Sequence, residues 1–380
     1  MSTSSKKDEL LKPFGGEFLF LRGRVGLYAI LKALEIGPGD EVATQAFTCV
    51  AVPEGIQASG AKPLFIDIEV GGLNMDPQSL AERITPTTKA IVVQHTFGIP
   101  AQMVEILRVA KAKKLPLIED CCHTHDSKYQ GQRVGTFGVA SFFSYEWGKP
   151  IILGIGGSVR INEPGLLTKF ADFYTKFARP GRFLQIQIHI QKLIFNAVLT
   201  PRTYWMVKKL FHMFARLSLV KGNYNPIGQS ESAKDFHQRM LSNLETKYRR
   251  DYQRLKHVFA QHSEMVAAMY KKAIQGKRFR MPIVPTGAEP IFARFPILVG
   301  NKAGFLNAAR SMGIELADWY ATPVHPLTAT EWSFVNYIPG SCPEAEQRSR
   351  EVVSLPTCTR VSPKYLKRYS QFLTIYDYYG

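Results

Sequence analysis

The chain has 380 residues, is 45% apolar and carries a formal net charge of +17, which excludes a disordered or fibrous polypeptide and leaves room for two or three structural units around a large core. The first residues lack the apolar stretch of a secretory signal, and no apolar run approaches the roughly 18 residues that cross a bilayer, so a soluble cytoplasmic protein is expected. The positive balance favours anionic partners without choosing among phosphates, nucleotides, acidic lipid and nucleic acid.

Along the chain, residues 26–34 place Leu27, Ile30, Leu31 and Leu34 at helical spacing, and Gly37-Pro38-Gly39-Asp40 stops that helix. Residues 41–44 read as a strand, 50–58 as a helix and 63–68 as a strand. Residues 89–94 and 115–118 read as short buried strands on either side of a helix over 103–113. This alternation predicts an α/β fold with a mainly parallel central sheet flanked by helices. Ligands in such folds bind beyond the carboxyl ends of the strands, where Asp120 and His123 fall.

Residues 166–222 differ in composition: ten lysines and arginines face a single acid, Asp172, and are interleaved with aromatic and aliphatic residues. The pattern predicts basic amphipathic helices split at Arg179-Pro180-Gly181 and Thr200-Pro201. They read either as a surface subdomain over the active site or as a contact with anionic membrane, with nucleic acid less favoured. Residues 231–274 read as a long helix crossing to a second domain. A strand over 291–298 and a helix over 302–313 then open a smaller α+β domain. The expected organisation is a lead over 1–22, a large domain over 23–235 with an insertion at 166–230, and a linking helix plus small C-terminal domain over 236–380.

The chemistry gathers around Asp120 and Lys149. A carboxylate at the end of a buried strand and a lysine beyond the next strand are the groups that hold pyridoxal phosphate, the acid keeping the pyridine nitrogen protonated and the amine bonding the aldehyde and shuttling protons. Ser144 offers a hydroxyl to the phosphate, Gly154, Gly156 and Gly157 permit close backbone approach, and His123 comes within reach of the ring hydroxyl. Arg22-Gly23-Arg24-Val25-Gly26 precedes the first helix, where backbone N–H groups bind phosphate. Taken singly, Asp120 reads equally as a helix cap, Lys149 as a solvated loop residue and His123 as a buried structural histidine. The five cysteines, Cys49, Cys121, Cys122, Cys342 and Cys358, lack metal-type spacing and read as reduced thiols, so no metal site is expected.

These segments resemble the DegT/DnrJ/EryC1/StrS family of sugar aminotransferases. The likeness runs through residues 33–42 (ALEIGPGDEV), 60–67 (GAKPLFID), 84–91 (ITPTTKAI), 118–123 (IEDCCH), 129–135 (YQGQRVG) and 354–357 (SLPT). The resemblance implies a fold type I transferase with pyridoxal 5'-phosphate, with Asp120 at the pyridine nitrogen, Lys149 as the Schiff-base lysine, Ser144 at the phosphate and His123 near the ring oxygen. Gly23 and Arg24 fall on the phosphate turn, and Trp319, Tyr320 and His325 on the sugar side of the cleft. It also implies a homodimer and transfer of an amino group, from glutamate, to a keto group of a nucleotide-activated sugar.

The chain departs from the family pattern at several places. Cys49 replaces an aromatic residue that stacks on the cofactor, leaving Phe47 nearby. Arg22 replaces a serine, Ile155 replaces a glutamate, and an interface motif survives only as His237-Gln238-Arg239-Met240. The departures keep open a catalytically degenerate binding or regulatory protein, membrane-associated through residues 166–222. A sugar dehydratase is the other alternative, although that branch carries histidine where this chain has Lys149.

Overall fold

The computed structural model describes residues 17–200, 203–216 and 235–379. A seven-stranded sheet forms the large domain from β1 (Glu17–Phe20), β2 (Glu41–Gln45), β3 (Lys62–Ile66), β4 (Thr88–Gln94), β5 (Leu117–Asp120), β6 (Ala140–Ser144) and β7 (Gly157–Ile161), in the order β1-β7-β6-β5-β4-β2-β3. The pairs from β6 to β3 are parallel, whereas β7 runs antiparallel to both β6 and β1. The sheet is therefore mainly parallel, as the alternating sequence predicts. Its central strands are buried along nearly their whole length, as in sheets covered by helices on both faces.

Helices α1 (Gly23–Ala33), α2 (Ala51–Ala58) and α3 (Met103–Lys113) connect these strands. The bounds of α3 coincide with the sequence expectation, and Lys114 ends it in the left-handed region at φ 56°. Nearly every residue of α1 is buried. It lies so close to β7 that a Cβ at Gly26 would come within 2.7 Å of Val159 Cγ2. Glycine is what lets this helix, and the turn before it, press onto the sheet.

Two expected boundaries shift. Residues 17–22, placed with the N-terminal lead, form the edge strand β1 and the turn into α1, because Phe18 and Phe20 pack into the sheet core. The basic segment is not one inserted unit either. Its first helix, α4 (Pro164–Tyr174), puts Phe170 and Tyr174 edge-on to Phe18 and Phe20 and belongs to the core of the large domain. What stands apart is α5 (Arg182–Val198) and α6 (Tyr204–Arg216). Residues 1–16 of the lead, and 201–202 and 217–234 of the segment, lie outside the described residues.

The long helix α7 (Ser242–Ile274) has 33 residues, about 50 Å of rise. Leu244, Tyr248 and Tyr252 at its start pack with Tyr145 and Leu153 of the large domain, and Val266, Ala267, Tyr270 and Ile274 at its end join the second core. That core is built on an antiparallel pair, β8 (Arg294–Leu298) with β9 (Val352–Pro356). The helix thus packs into both cores. It starts at Ser242, later than the expected residue 231, because Asp235–His237 form a separate short turn, and residues 231–234 lie outside the described residues.

Glu69, buried beside the sheet, is held near charge neutrality. Desolvation pushes its carboxyl up to about 7 against a hydrogen bond from Gln102, with Asp76 pushing the same way. In the unfolded chain the group titrates near 4.5, so its stabilising effect is full below that pH and is lost as pH rises to 7, by up to roughly 3 kcal/mol. Glu69→Gln is expected to flatten the fall in urea-unfolding free energy between these two pH values and to raise stability above pH 7. An unchanged pH profile in the variant would contradict this account.

Candidate active site

The site forms where the parallel strands end. Register sets Gln94 of β4 beside Asp120 of β5, and Asp120 beside Phe142 of β6, so Ser144 projects two residues further along. Asp120 is almost fully buried, and its carboxylate accepts the Cys122 backbone N–H at 2.9 Å. Burial pushes this carboxyl above its usual range. The Cys122 hydrogen bonds, and then the ammonium of Lys149, pull it back. A cation placed against Asp120 would complete its compensation.

His123 is held in one tautomer. Its Nδ1 accepts the Phe97 N–H at 3.2 Å, so Nε2 carries the proton and points to the Tyr320 hydroxyl at 3.4 Å. Burial, with Lys149 and Arg294 nearby, drives its pKa well below the ordinary value, so the ring stays neutral and donates from Nε2. The ring lies parallel to Phe97, Trp319 and Tyr320, with centroids 5.8, 6.2 and 6.0 Å away.

Lys149 follows β6 on a loop braced by Glu146, whose carbonyl accepts the Lys149 N–H at 3.3 Å. Its ammonium stands 5.8 Å from the Trp319 ring centroid and acts electrostatically on Asp120, Cys122, His123 and Cys49. The lysine is half-buried, not in bulk solvent. Trp319 lies tight on this loop, since a Cβ at Gly148 would meet its ring at 2.7 Å.

The start of α1 completes the arrangement. Arg22, its N-cap, makes no side-chain capping bond, and the first turn carries no acid. A Cβ at Gly23 would fall 3.2 Å from Ser144 Cβ and 3.4 Å from Cys122 Sγ, so the helix start, Ser144 and Cys122 share one small space. The Ser144 hydroxyl is buried without a hydrogen-bond partner among the described residues. An orphaned hydroxyl beside a helix N-terminus that lacks a side-chain cap fits an anionic group, as buried polar atoms seldom go unpaired. The donor set therefore fits the phosphate of pyridoxal phosphate, and Lys149 lies near enough to Asp120 to act on it electrostatically.

The remaining sequence candidates divide. Cys49 is at the site, its thiol pushed up by burial and pulled down by Lys149. Phe47 is fully buried, with its ring edge-on to Tyr320 at 5.2 Å and to Phe97 at 6.5 Å. Arg24 is present, but its guanidinium pairs with Glu54, so this position offers its backbone N–H rather than its charge. Tyr320 is buried at the centre of the ring cluster. His325 is tied to its own loop, its Nδ1 accepting the Ala321 N–H at 3.2 Å.

Sequence reasoning passed over the partner of Arg22, which is Glu146, and the roles of Cys122 and Phe97. Cys122 was legible as the second residue past a strand-end aspartate. The other two rest on contacts between distant segments. His95, Glu119 and Cys121 also cluster within 4.8 Å, but the Glu119 oxygens accept the N–H groups of Gly135, Phe137 and Gly138 and face His95 Nε2. His95 Nδ1 accepts the Ala101 N–H. These atoms are committed to fixing the loop that leads into β6.

Gly157 presses β7 against the turn into α1, because a Cβ there would lie 2.5 Å from Gly23 N and 2.6 Å from the Arg22 carbonyl carbon. Both are backbone atoms, so Gly157→Ala must displace the start of α1, an overpacking of about 1–3 kcal/mol. The expected result is at least a tenfold weaker cofactor affinity in an absorbance titration, with Gly300→Ala, which meets nothing within 4 Å, unchanged. Equal affinities for both variants would sink this reading.

Comparison with known proteins agrees with this architecture. The sequence profile of the DegT/DnrJ/EryC1/StrS aminotransferase family matches residues 22–183 and 249–373, leaving out α5 and α6 almost entirely. GDP-perosamine synthase of Escherichia coli O157:H7 is 39% identical over 151 residues, 40% of this chain and 42% of that enzyme. The dTDP-3-amino-3,6-dideoxy-alpha-D-galactopyranose transaminase of Aneurinibacillus thermoaerophilus is 27% identical over 358 residues, 94% of this chain and 84% of that protein. Among solved structures, S. venezuelae DesV in complex with a ketimine intermediate superposes with a TM-score of 0.73 at 21% identity, covering 98% of this chain and 87% of that one. With the profile matched over most of its length, the chain belongs to the DegT/DnrJ/EryC1/StrS aminotransferase family.

Proposed function

We infer that the chain is a pyridoxal-phosphate-dependent aminotransferase that places an amino group, taken from glutamate, on a keto carbon of a nucleotide-activated sugar. The carrying observation is the convergence of Asp120, Lys149, the orphaned Ser144 hydroxyl and the start of α1 at the ends of the parallel strands. The two relatives described above are named for GDP- and dTDP-linked products, which supports a nucleotide sugar as substrate and leaves the base unassigned. The net charge of +17 suits an anionic diphosphate.

When bound, the cofactor supplies an electron-withdrawing ring that stabilises negative charge on the substrate carbon. The Asp120 carboxylate would hold a proton on the ring nitrogen. Ser144 Oγ and the N–H groups at the start of α1 would bind the phosphate, and His123 Nε2–H would donate to the ring oxygen. Lys149 Nζ would carry the proton to and from the substrate carbon, with the face of Trp319 beside it excluding water. Trp319, Tyr320 and His325 would line the sugar side.

Purified protein supplied with glutamate and GDP- or dTDP-linked keto sugars is expected to form amino sugar and 2-oxoglutarate in equal amounts. Cofactor-loaded protein that yields neither product, or a dehydrated sugar instead, would refute the assignment. The proposal includes a homodimer, so the solution mass should be twice 42.8 kDa; a monomeric mass would remove that part.

A further inference from the structure

The segment that the family profile passes over has an outer face that the aminotransferase reaction does not explain. Helix α5 is apolar on two sides. Its inner side carries Ile188, which is buried, and Phe195, whose ring centroid lies 4.1 Å from that of Trp147. Its outer side exposes Phe183 (80%), Ile186 (59%), Ile190 (50%) and Ile194 (58%), a stripe at helical spacing. Helix α6 repeats the plan. Trp205 faces inward, its Nε1 donating to the Ile314 carbonyl at 2.8 Å, and Lys208 pairs with Asp318, while Met206 and Met213 stay exposed on the other side. A soluble helix normally turns a polar face to water; these two turn apolar stripes outward.

Charge selects what covers them. No aspartate or glutamate occurs between Asp172 and Glu231, whereas lysines and arginines recur throughout that interval, with Arg182 and Lys209 exposed on the two helices. A second copy of this chain would bring like charge against like charge, and a nucleic acid would leave the aliphatic stripes in water. An apolar stripe with cationic flanks is the combination that enters the headgroup and acyl boundary of an anionic bilayer. No described helix is long and apolar enough to cross a membrane, so the contact lies in the interface plane.

We propose that α5 and α6 form a peripheral docking surface for anionic phospholipid bilayer. Through Trp147 and Asp318 the same helices bear on the segments that carry Lys149 and Trp319, so docking sets the reaction site beside the bilayer surface. This inference stands apart from the proposed reaction: loss of either leaves the other intact.

The test is sedimentation of the full-length, cofactor-loaded protein with phosphatidylcholine vesicles containing about 30% phosphatidylglycerol, and with pure phosphatidylcholine. The protein is expected to pellet with the anionic vesicles, to be released by high salt, and to stay in solution with the neutral ones. Ile186→Glu/Ile190→Glu, which alters only outward-facing side chains, is expected to lower the partition coefficient at least tenfold while the melting temperature and cofactor absorbance hold. Arg182→Glu/Lys209→Glu is expected to weaken binding and flatten its salt dependence. The proposal is overturned if the unaltered protein fails to pellet with anionic vesicles. It is equally overturned if the Ile186→Glu/Ile190→Glu variant binds as well as the parent, or if that variant lowers the solution mass while the parent shows no vesicle binding, which would mark the stripe as a contact between copies.

Discussion

Lys149→Ala is expected to lower transamination at least 10^4-fold, the upper range for removing a positioned proton-transfer group, because in the proposed reaction the same amine also bonds the cofactor. The fold should survive the change. Lys149 is half-buried, with its ammonium over the Trp319 ring at 5.8 Å and its backbone N–H bonded to Glu146. The first contact is worth about 0.5–1 kcal/mol, and the second does not depend on the side chain. Lys149→Arg separates charge from chemistry. It keeps a cation near Asp120 and His123, yet a guanidinium does not release its proton, so it should be as inactive as the alanine variant. Steady-state rates with glutamate and a keto-sugar nucleotide check this, and an arginine variant retaining a tenth of the activity would show that Lys149 acts only through its charge.

Asp120→Asn is expected to reduce turnover roughly 10^2–10^3-fold, the scale measured when one preorganised polar group is lost from a water-excluded site. Asparagine fills the same volume and can still accept the Cys122 N–H, so the strand end and the loop to His123 should keep their course. What it lacks is the negative charge. Without the cofactor, burial already pushes the Asp120 carboxyl up, so a neutral amide there removes a desolvation cost that grows as pH rises. Without cofactor, the variant should therefore be at least as stable as the parent above neutral pH, while its activity falls. A drop in apo-protein stability together with activity would mean that Asp120 is chiefly a structural cap.

The large domain was legible because its elements are local. The period of α3, the short apolar runs of β4 and β5, and the glycine-rich stop after α1 are decided within ten or so residues by spacing and turn chemistry. The gathering of Asp120, Ser144 and Lys149 also followed, since parallel strands bring their carboxyl ends to one edge. The unread parts depend on distance in sequence. Strand β1 pairs with β7 across more than a hundred residues, Arg22 finds Glu146, and Trp147 meets Phe195 with the rings tilted 41°. No local period encodes such partners. The basic segment misled for a related reason: composition joined α4 to α5 and α6, but Phe170 and Tyr174 commit α4 to the sheet core.

The departures at Cys49 and Arg22 also find physical places. Arg22 is neutralised by buried Glu146, so its charge stays with the Lys149 loop and does not compete for the phosphate. Near Lys149, which acts electrostatically on Cys49, the parallel rings of His123, Trp319 and Tyr320 supply aromatic surface. Neither substitution removes a group that the proposed chemistry needs.

The most direct test is to reduce the purified cofactor-loaded protein with borohydride and map the modified peptide by mass spectrometry. The account predicts a single pyridoxyl group on the ε-nitrogen of Lys149. Attachment to another lysine, or protein that binds no cofactor while Ser144 and the start of α1 remain folded, would contradict it.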